Sequence, residues 1–361
     1  MPYSYKQIIS LPLREKLFHF MKNEKIYHVI FAEQFNRDVI DRLCRIADVL
    51  RKIAQTREGQ DFLRSLLAHK SVMLYFTQPS TRTYLSFVRS CQYLGMNYAN
   101  VRDPSISSFS KGESDIDGVL TFSNYFDLII MRHHEGGFAE RVAYLMNDSR
   151  LKKANIQVPV ISGGAGPDEH PTQALLDMYT LCRSFIWRPK KVDGLHIGFM
   201  GDVARGRTVR SLSKLLTRFS NIKISYISPQ ELKIKEDLRK WLDRQRVDYY
   251  ETDNLNELIK ELDVVYVTRI QDEYDTGNES SDLDYSKFHL SIDDVQKMKE
   301  EAIIMHPLPR RQELDPNIDF DKRAKYWEQE VNGMWIRASL VAFIFNVDSN
   351  ILDYYTLHHS H

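Results

Sequence analysis

Apolar residues along this chain fall into short dense runs and longer amphipathic stretches that take turns over nearly the whole length. Ser71 to Phe76 (Ser-Val-Met-Leu-Tyr-Phe) is short, apolar and bounded by turn residues, which predicts a buried strand. After Ser80 the apolar positions Leu85, Val88 and Cys91 recur at helical spacing, and Gly95 supplies a C-terminal stop. The alternation continues with strands over 98–101, 127–132 and 158–162 and helices over 114–126, 138–147 and 170–185. It then restarts, with strands at 195–200, 223–227, 264–268 and 303–305 and a helix over 208–219. Strands separated by helix-length segments imply parallel sheets joined by right-handed crossovers. The expected fold class is therefore α/β, with two doubly wound domains, each a parallel β-sheet flanked by helices. Trp187-Arg188-Pro189-Lys190-Lys191 is a polar, proline-containing break. It predicts a first domain over 1–186 and a second over 187–334, with a C-terminal helix, 335–361, packing back on the first. The stretch before Ser71 reads as helical around 39–50, Tyr249 and Tyr250 as packing residues, and Asp275 to Asp284 as a solvated acidic loop.

In sheets of this kind ligands bind at the carboxyl ends of the strands, and the residues that follow the strands here are rich in cations and amides. Pro79-Ser80-Thr81-Arg82-Thr83 places three hydroxyls and a guanidinium at a helix N-terminus. Free backbone N–H groups and the positive end of the helix dipole converge on the same point, which makes a phosphate site. One hydroxyl would suffice to cap the helix. Further strand ends carry Arg132-His133-His134, the Gly201 to Thr208 segment, Arg269 with Gln271, and His306 to Arg310. If the two halves face each other, these groups line an interdomain active-site cleft. The chain has no Gly-x-Ser-x-Gly elbow, no Walker-type phosphate loop and no His-Glu-x-x-His, and Gly201 to Gly206 does not fit a dinucleotide fingerprint. What remains is a set of positioning groups: Arg82, Lys111, Arg132, His170, Gln173, Arg207, Arg269 and Gln271. Such a set suits catalysis by orientation and electrostatic stabilisation, on substrates that carry phosphate and carboxylate groups.

Charge and composition narrow the classes further. Among 361 residues Lys plus Arg and Asp plus Glu both number 49, so the formal net charge is zero. A general nucleic-acid or anionic-membrane binder would need a basic excess. Cys44, Cys91 and Cys182 are an odd, scattered set without metal-ligand spacing, which fits reduced thiols. Residues 1–27 lack the apolar core and cleavage site of a secretory signal, and no apolar run approaches a membrane-spanning length. A cytoplasmic location is expected.

Read together and in order, the motifs resemble the aspartate/ornithine carbamoyltransferase family, and within it the branch that acts on aspartate. The resemblance covers about Ser71 to Leu340. It rests on Pro79-Ser80-Thr81-Arg82-Thr83, Lys111-Gly112-Glu113, Met131-Arg132-His133, His170-Pro171-Thr172-Gln173, Gly206-Arg207-Thr208, Thr268-Arg269-Ile270-Gln271 and His306-Pro307-Leu308-Pro309-Arg310. It implies that Ser80, Thr81, Arg82, Thr83 and Arg132 hold the phosphate of carbamoyl phosphate in the first domain. Arg132, Thr83 and His170 would polarise the carbonyl oxygen, while Gln173 and the Leu308-Pro309 backbone would fix the carbamoyl amino group. Arg207 with Thr208, Arg269 and Gln271 would bind the carboxylates of L-aspartate in the second domain. Ser107 to Lys111 would reach a neighbouring subunit's site, Ser107 to the phosphate and Lys111 to both substrates, which implies a homotrimer with shared sites. A regulatory chain or another enzyme of pyrimidine synthesis is a possible partner. No cofactor and no metal are implied.

The second half separates the branches. A side-chain carboxylate needs a second cation, which Arg269 with Gln271 provides and which would repel ornithine. His306-Pro307-Leu308-Pro309 also stands where ornithine-type enzymes carry His-Cys-Leu-Pro. Transfer to another amino acid, or a silent homologue serving as a subunit, stay open as alternatives at this stage. Two positions depart from the family: Gln78 stands where a Glu is usual and Tyr274 where close relatives carry an Arg. A neutral contact is expected to replace that charged bridge. His133, His134, Arg310 and Arg311 are expected to be structural.

Overall fold

The computed structural model describes residues 7, 9–103, 112–147, 157–164, 169–187, 191–269 and 288–359. Met21–Lys22 (β1) and Lys25–Ile26 (β2) form a small antiparallel hairpin whose turn residues, Asn23 and Glu24, both have positive φ. The parallel strands follow as Ser71–Phe76 (β3), Asn97–Val101 (β4), Leu128–Arg132 (β5), Val160–Ser162 (β6), His196–Met200 (β7), Lys223–Ile227 (β8), Asp248–Thr252 (β9), Val264–Val267 (β10) and Ile303–Met305 (β11). They build one sheet of order β4-β3-β5-β6 and another of order β11-β10-β7-β8-β9, parallel throughout. The expected α/β class with two parallel sheets is what the chain forms.

Why the strands are buried is visible in their composition. All of β5 is buried (Leu-Ile-Ile-Met-Arg), and so is all of β10 (Val-Val-Tyr-Val), as befits parallel strands covered on both faces. Each such apolar side chain contributes about 1.5–3 kcal/mol relative to exposure. In the first unit Met73, Tyr75, Ile129, Met131 and Val160 pack against Phe138 and Val142 of the helix Phe138–Met146. In the second, Met200, Ile227, Val265 and Ile304 pack with Leu262, Leu290 and Tyr326. Helix starts are set by short polar caps: the Asn36 side chain accepts from the Val39 N–H at the head of Arg37–Ile53, and Ser114 Oγ accepts from the Asp117 N–H at the head of Asp115–Ser123. Among the described residues no helix is long and apolar enough to cross a membrane.

Two compact units emerge, residues 1–172 with 333–361 and residues 173–332. The boundary therefore lies ahead of the polar break at Trp187, and the chain returns to the first unit slightly before residue 335. Buried hydrogen bonds account for the difference. Asp177 accepts from Tyr266 Oη at 2.9 Å and Gln329 Nε2 at 2.6 Å, and Thr180 Oγ1 accepts from Asn332 Nδ2 at 3.0 Å. The helix Pro171–Phe185 is thereby tied to the second unit from Gln173 onward. The C-terminal segment returns through Ser339 Oγ, which donates to the Leu43 carbonyl at 2.8 Å, and Arg337, which donates to Ser86 Oγ at 2.8 Å. Tyr249 and Tyr250, read as packing residues, belong to the edge strand β9, whose alternating half-burial hid it from a search for dense apolar runs.

Gly201 closes β7 with φ +113°, and a Cβ there would lie 2.2 Å from the Thr268 carbonyl oxygen and 2.9 Å from its Oγ1. Gly201→Ala should therefore cost more than about 1 kcal/mol and lower the melting temperature by at least about 2 °C. An unchanged thermal melt would show that this turn does not need glycine.

Candidate active site

In the first sheet the chain leaves β3 for β4 on one side and later crosses to β5 on the other, so the strand order reverses between β3 and β5. Crossovers that part in this way leave a crevice at the carboxyl ends of the two strands. β3 delivers Ser80 to Thr83 there, and β5 ends on Arg132, which pairs in register with Phe76. Ser80 occupies the N-cap position of the helix Thr81–Tyr93 in an extended conformation, yet its side chain makes no capping bond. Capping thus does not explain the residue. Thr81 is exposed, Ser80 and Arg82 half-buried and Thr83 buried.

Arg132 is buried, and its Nη1 donates to the Gly163 carbonyl at 3.1 Å. A buried guanidinium gains more from an anion than an exposed one does, because little water screens the pair. His170 is also buried, with Nε2 3.5 Å from Thr83 Oγ1. Gly164 brings the Arg132 and His170 side chains close. It has φ +87°, and a Cβ there would come within 2.8 Å of His170 Cδ2 and 3.2 Å of Arg132 Nη1. Thr83, Arg132 and His170 are thus gathered around one point.

The second sheet repeats the device. Its order reverses between β7 and β10. The loop after β7 is fixed by Asp202, fully buried, whose carboxylate accepts from Arg205 N at 3.0 Å and Arg205 Nε at 2.7 Å. It leads to Arg207 and Thr208 at the start of the helix Arg207–Leu216. Thr268 ties the end of β10 to β7, donating to the Met200 carbonyl from N at 2.8 Å and from Oγ1 at 3.1 Å. Arg269 follows. Arg207 and Arg269, both half-buried, therefore follow neighbouring strands of this sheet.

After β11, His306 organises the loop that carries Leu308 and Pro309. Its Nδ1 accepts from the Leu308 N–H at 2.8 Å and its Nε2 lies 2.8 Å from Glu313 Oε1. The carboxylate also accepts from the Arg311 N–H at 3.0 Å. Burial pushes the Glu313 carboxyl up, but the hydrogen bonds from His306 and the backbone outweigh it and hold the group below the usual carboxylate range. Gln173 is buried, and its Nε2 donates to Asp177 Oδ1 at 3.0 Å.

Ser107, Lys111, Gln271 and Tyr274, together with the acidic loop from Asp275, lie outside the described residues. Gln78 donates its N–H to the Arg132 carbonyl at 3.2 Å, and its Oε1 is buried with no hydrogen-bond partner among the described residues. His133 lies 3.2 Å from Asp115 Oδ2 and stacks on Phe138, and burial lowers its pKa, while His134 is exposed. Arg310 pairs with Asp319 through two bonds of 2.6 and 2.7 Å. The supporting residues Asp177, Asp202, Tyr266 and Glu313 were not singled out from sequence. One signal was available for Asp177, a lone carboxylate inside Ala174-Leu175-Leu176-Asp177-Met178.

Comparison with known proteins places both units. The family model described as aspartate/ornithine carbamoyltransferase, carbamoyl-P binding domain, matches residues 27–183, and the Asp/Orn binding domain of the same family matches residues 193–344. A pea protein named aspartate carbamoyltransferase 2, chloroplastic, is 37% identical over 322 residues, 88% of this chain and 78% of the relative. The structure of the catalytic subunit of Methanocaldococcus jannaschii aspartate transcarbamoylase aligns with a TM-score of 0.75 at 33% identity, over 89% of this chain and 99% of that one. That of aspartate transcarbamoylase from Trypanosoma cruzi in complex with N-(phosphonacetyl)-L-aspartic acid aligns with a TM-score of 0.76 at 31% identity, over 87% and 94%.

The depressed pKa of Glu313 has a stability consequence with a definite sign. A carboxyl whose folded pKa lies below its unfolded one stabilises the fold above the unfolded value and loses that contribution as pH falls through the folded one. Between about pH 5 and pH 3 the natural protein should lose more melting temperature than Glu313→Gln. Parallel melting curves for the two would count against the clamp.

Proposed function

The chain belongs to the aspartate/ornithine carbamoyltransferase family, and from that premise we infer that it transfers the carbamoyl group of carbamoyl phosphate to the amine of L-aspartate. The observation that carries this reading is the pair of cationic strand ends, each at the reversal point of its own sheet. One is furnished for phosphate by Ser80 to Thr83 and Arg132, the other for carboxylates by Arg207 and Arg269. The bound bisubstrate-like molecule in the Trypanosoma cruzi relative, a phosphonate joined to aspartic acid, supports the same division of labour.

On this reading the aspartate nitrogen attacks the carbamoyl carbon, the carbon–oxygen bond to phosphate breaks, and the amine gives up a proton as N-carbamoyl-L-aspartate and phosphate form. Negative charge grows on the carbonyl oxygen during the attack. Arg132, Thr83 and His170, preorganised in a buried pocket, stabilise that charge without reorganising. Arg82 and Arg132 also stabilise the phosphate that leaves. Arg207 and Arg269 hold the two carboxylates so that the amine approaches in one orientation, which removes much of the entropic barrier of a two-substrate reaction. Gln173 and the Leu308-Pro309 backbone hold the carbamoyl amino group.

The product is the carbamoylated amino acid from which pyrimidines are built, and we assign the enzyme to that pathway. We read the active form as a homotrimer in which Ser107 and Lys111 complete a neighbour's site, with a regulatory chain or a second pathway enzyme as a further partner. The name of the archaeal relative, a catalytic subunit, supports assembly with other chains. Three scattered cysteines without metal-ligand spacing favour a reducing compartment, the cytoplasm on this reading, whereas the pea relative is named chloroplastic.

The test is carbamoyl-aspartate formation from carbamoyl phosphate and L-aspartate, run beside ornithine. Turnover is expected with aspartate alone and should be abolished by Arg82→Ala. Arg269→Ala should raise KM for aspartate by roughly 10–100-fold, the loss of a charge-assisted hydrogen-bond pair. Turnover with ornithine would overturn the carboxylate assignment.

A further inference from the structure

Asp177 is a fully buried carboxylate in the middle of an apolar helix, and the mechanism above gives it no task. Its Oδ1 accepts from Gln173 Nε2 at 3.0 Å and from Gln329 Nε2 at 2.6 Å, and its Oδ2 accepts from Tyr266 Oη at 2.9 Å. The second of these bonds continues. Gln329 Oε1 accepts from the His306 N–H at 3.0 Å, His306 Nδ1 accepts from the Leu308 N–H at 2.8 Å, and His306 Nε2 meets Glu313 at 2.8 Å. One carboxylate thus anchors two separate elements, the helix turn with Gln173 and the β11 loop with Leu308 and Pro309. These are the elements to which the proposed function assigns the carbamoyl amino group.

The chemistry of the anchor fixes a direction. A side-chain amide can present either end, donor or acceptor, to its surroundings. An ionised carboxylate accepts only. Gln173 points its NH₂ to Asp177 Oδ1, so the other end of the amide is its acceptor oxygen. The carbamoyl group of carbamoyl phosphate offers an NH₂, a donor, and an acceptor is what it needs. Gln329 is oriented by the same rule, with its NH₂ to Asp177 and its oxygen to the His306 N–H.

We propose that Asp177 is a positioning residue that makes the site selective for a carbamoyl NH₂, by locking the amide of Gln173 with its oxygen outward and by holding the Leu308-Pro309 loop through Gln329 and His306. The inference rests on the carbamoyl-transfer reading above. Asparagine at 177 would keep the volume but could donate as well as accept, so the amide of Gln173 could turn over and the selectivity would fade.

Acetyl phosphate is the probe, because it carries a methyl group where carbamoyl phosphate carries NH₂ and is otherwise alike. The dissociation constant of carbamoyl phosphate and the inhibition constants of acetyl phosphate and inorganic phosphate would be measured for the natural protein, Asp177→Asn and Tyr266→Phe. Tyr266→Phe keeps the ring but removes the hydroxyl, and with it the bond to Asp177 and the contacts with Thr208 and Gln173, and so serves if Asp177→Asn does not fold. Asp177→Asn should weaken carbamoyl phosphate by about tenfold, the scale of one hydrogen bond, and leave acetyl phosphate and inorganic phosphate unchanged. Tyr266→Phe should shift the same preference in the same direction, by less. Equal weakening of carbamoyl and acetyl phosphate would mean that Asp177 only holds the fold, and would overturn the proposal, as would no change in either variant. If the natural protein bound no carbamoyl phosphate at all, the reading beneath the inference would fall, and that outcome is told apart by the unmutated control.

Discussion

A parallel sheet that grows first to one side of its opening strand and then to the other must reverse direction once, and at that reversal two neighbouring crossovers depart on opposite sides. Both sheets here obey this constraint, between β3 and β5 and between β7 and β10. The consequence is geometric before it is chemical. Backbone at those strand ends leaves the sheet without covering it, so side chains placed there can meet a ligand while the strands beneath stay buried. Ser80 to Thr83, Arg132, Arg207 and Arg269 all sit at these points. Local ties then make the strand ends rigid, the Arg132 guanidinium on the Gly163 carbonyl and Thr268 on the Met200 carbonyl among them. Without the reversals the same residues would be scattered along the edges of two ordinary sheets.

Charge is organised on the same principle. The chain as a whole is neutral, so no net charge draws an anion to it. What attracts the substrates is local, and its strength comes from burial. Two unit charges about 4 Å apart interact by about 1 kcal/mol in water and about 4 kcal/mol at an effective dielectric of 20. Arg132, largely shielded from solvent, lies nearer the second case. Exposed pairs such as Lys322 with Glu300 lie in the first and contribute little. The cations that matter are few and placed where water is scarce, which is why a balanced composition is compatible with a reaction between two anions.

How much of this could be read from the sequence differs from layer to layer. Strands β3, β8 and β11 were legible to the residue, because dense apolar runs between turn residues have few other uses. β9 was not, because an edge strand with one half-buried and one exposed tyrosine looks like surface packing. The compact units divide at Gln173, ahead of the polar break that falls between the two family domains, because composition shows where a chain is polar, not which buried hydrogen bonds tie a helix to its neighbour, and Asp177 and Thr180 tie theirs to the second unit. Among the candidate site residues, those that follow strands were legible because parallel sheets bind at that end. Thr83, Arg132 and His170 lie close together. The residues that orient them were not singled out, because an orienting group is defined by its partner across the fold, and its own neighbours in sequence are only apolar packing.

That last class explains the use of a buried carboxylate in the second unit. Taking an ionised group out of water carries a penalty of several kcal/mol, and only good hydrogen bonds offset it. Asp177 receives such bonds from two amides and a phenol. An apolar residue would avoid the penalty altogether, so stability alone does not account for the choice. Orientation does. A reaction catalysed by placement is sensitive to errors of about 1 Å in groups that never touch the reacting atoms, and an amide that can turn over is such an error waiting to occur. An acceptor-only group removes the second orientation for Gln173 and Gln329 together, and the loop held by His306 inherits the result. The part of the site that recognises a donor is thereby built on a residue that can only accept.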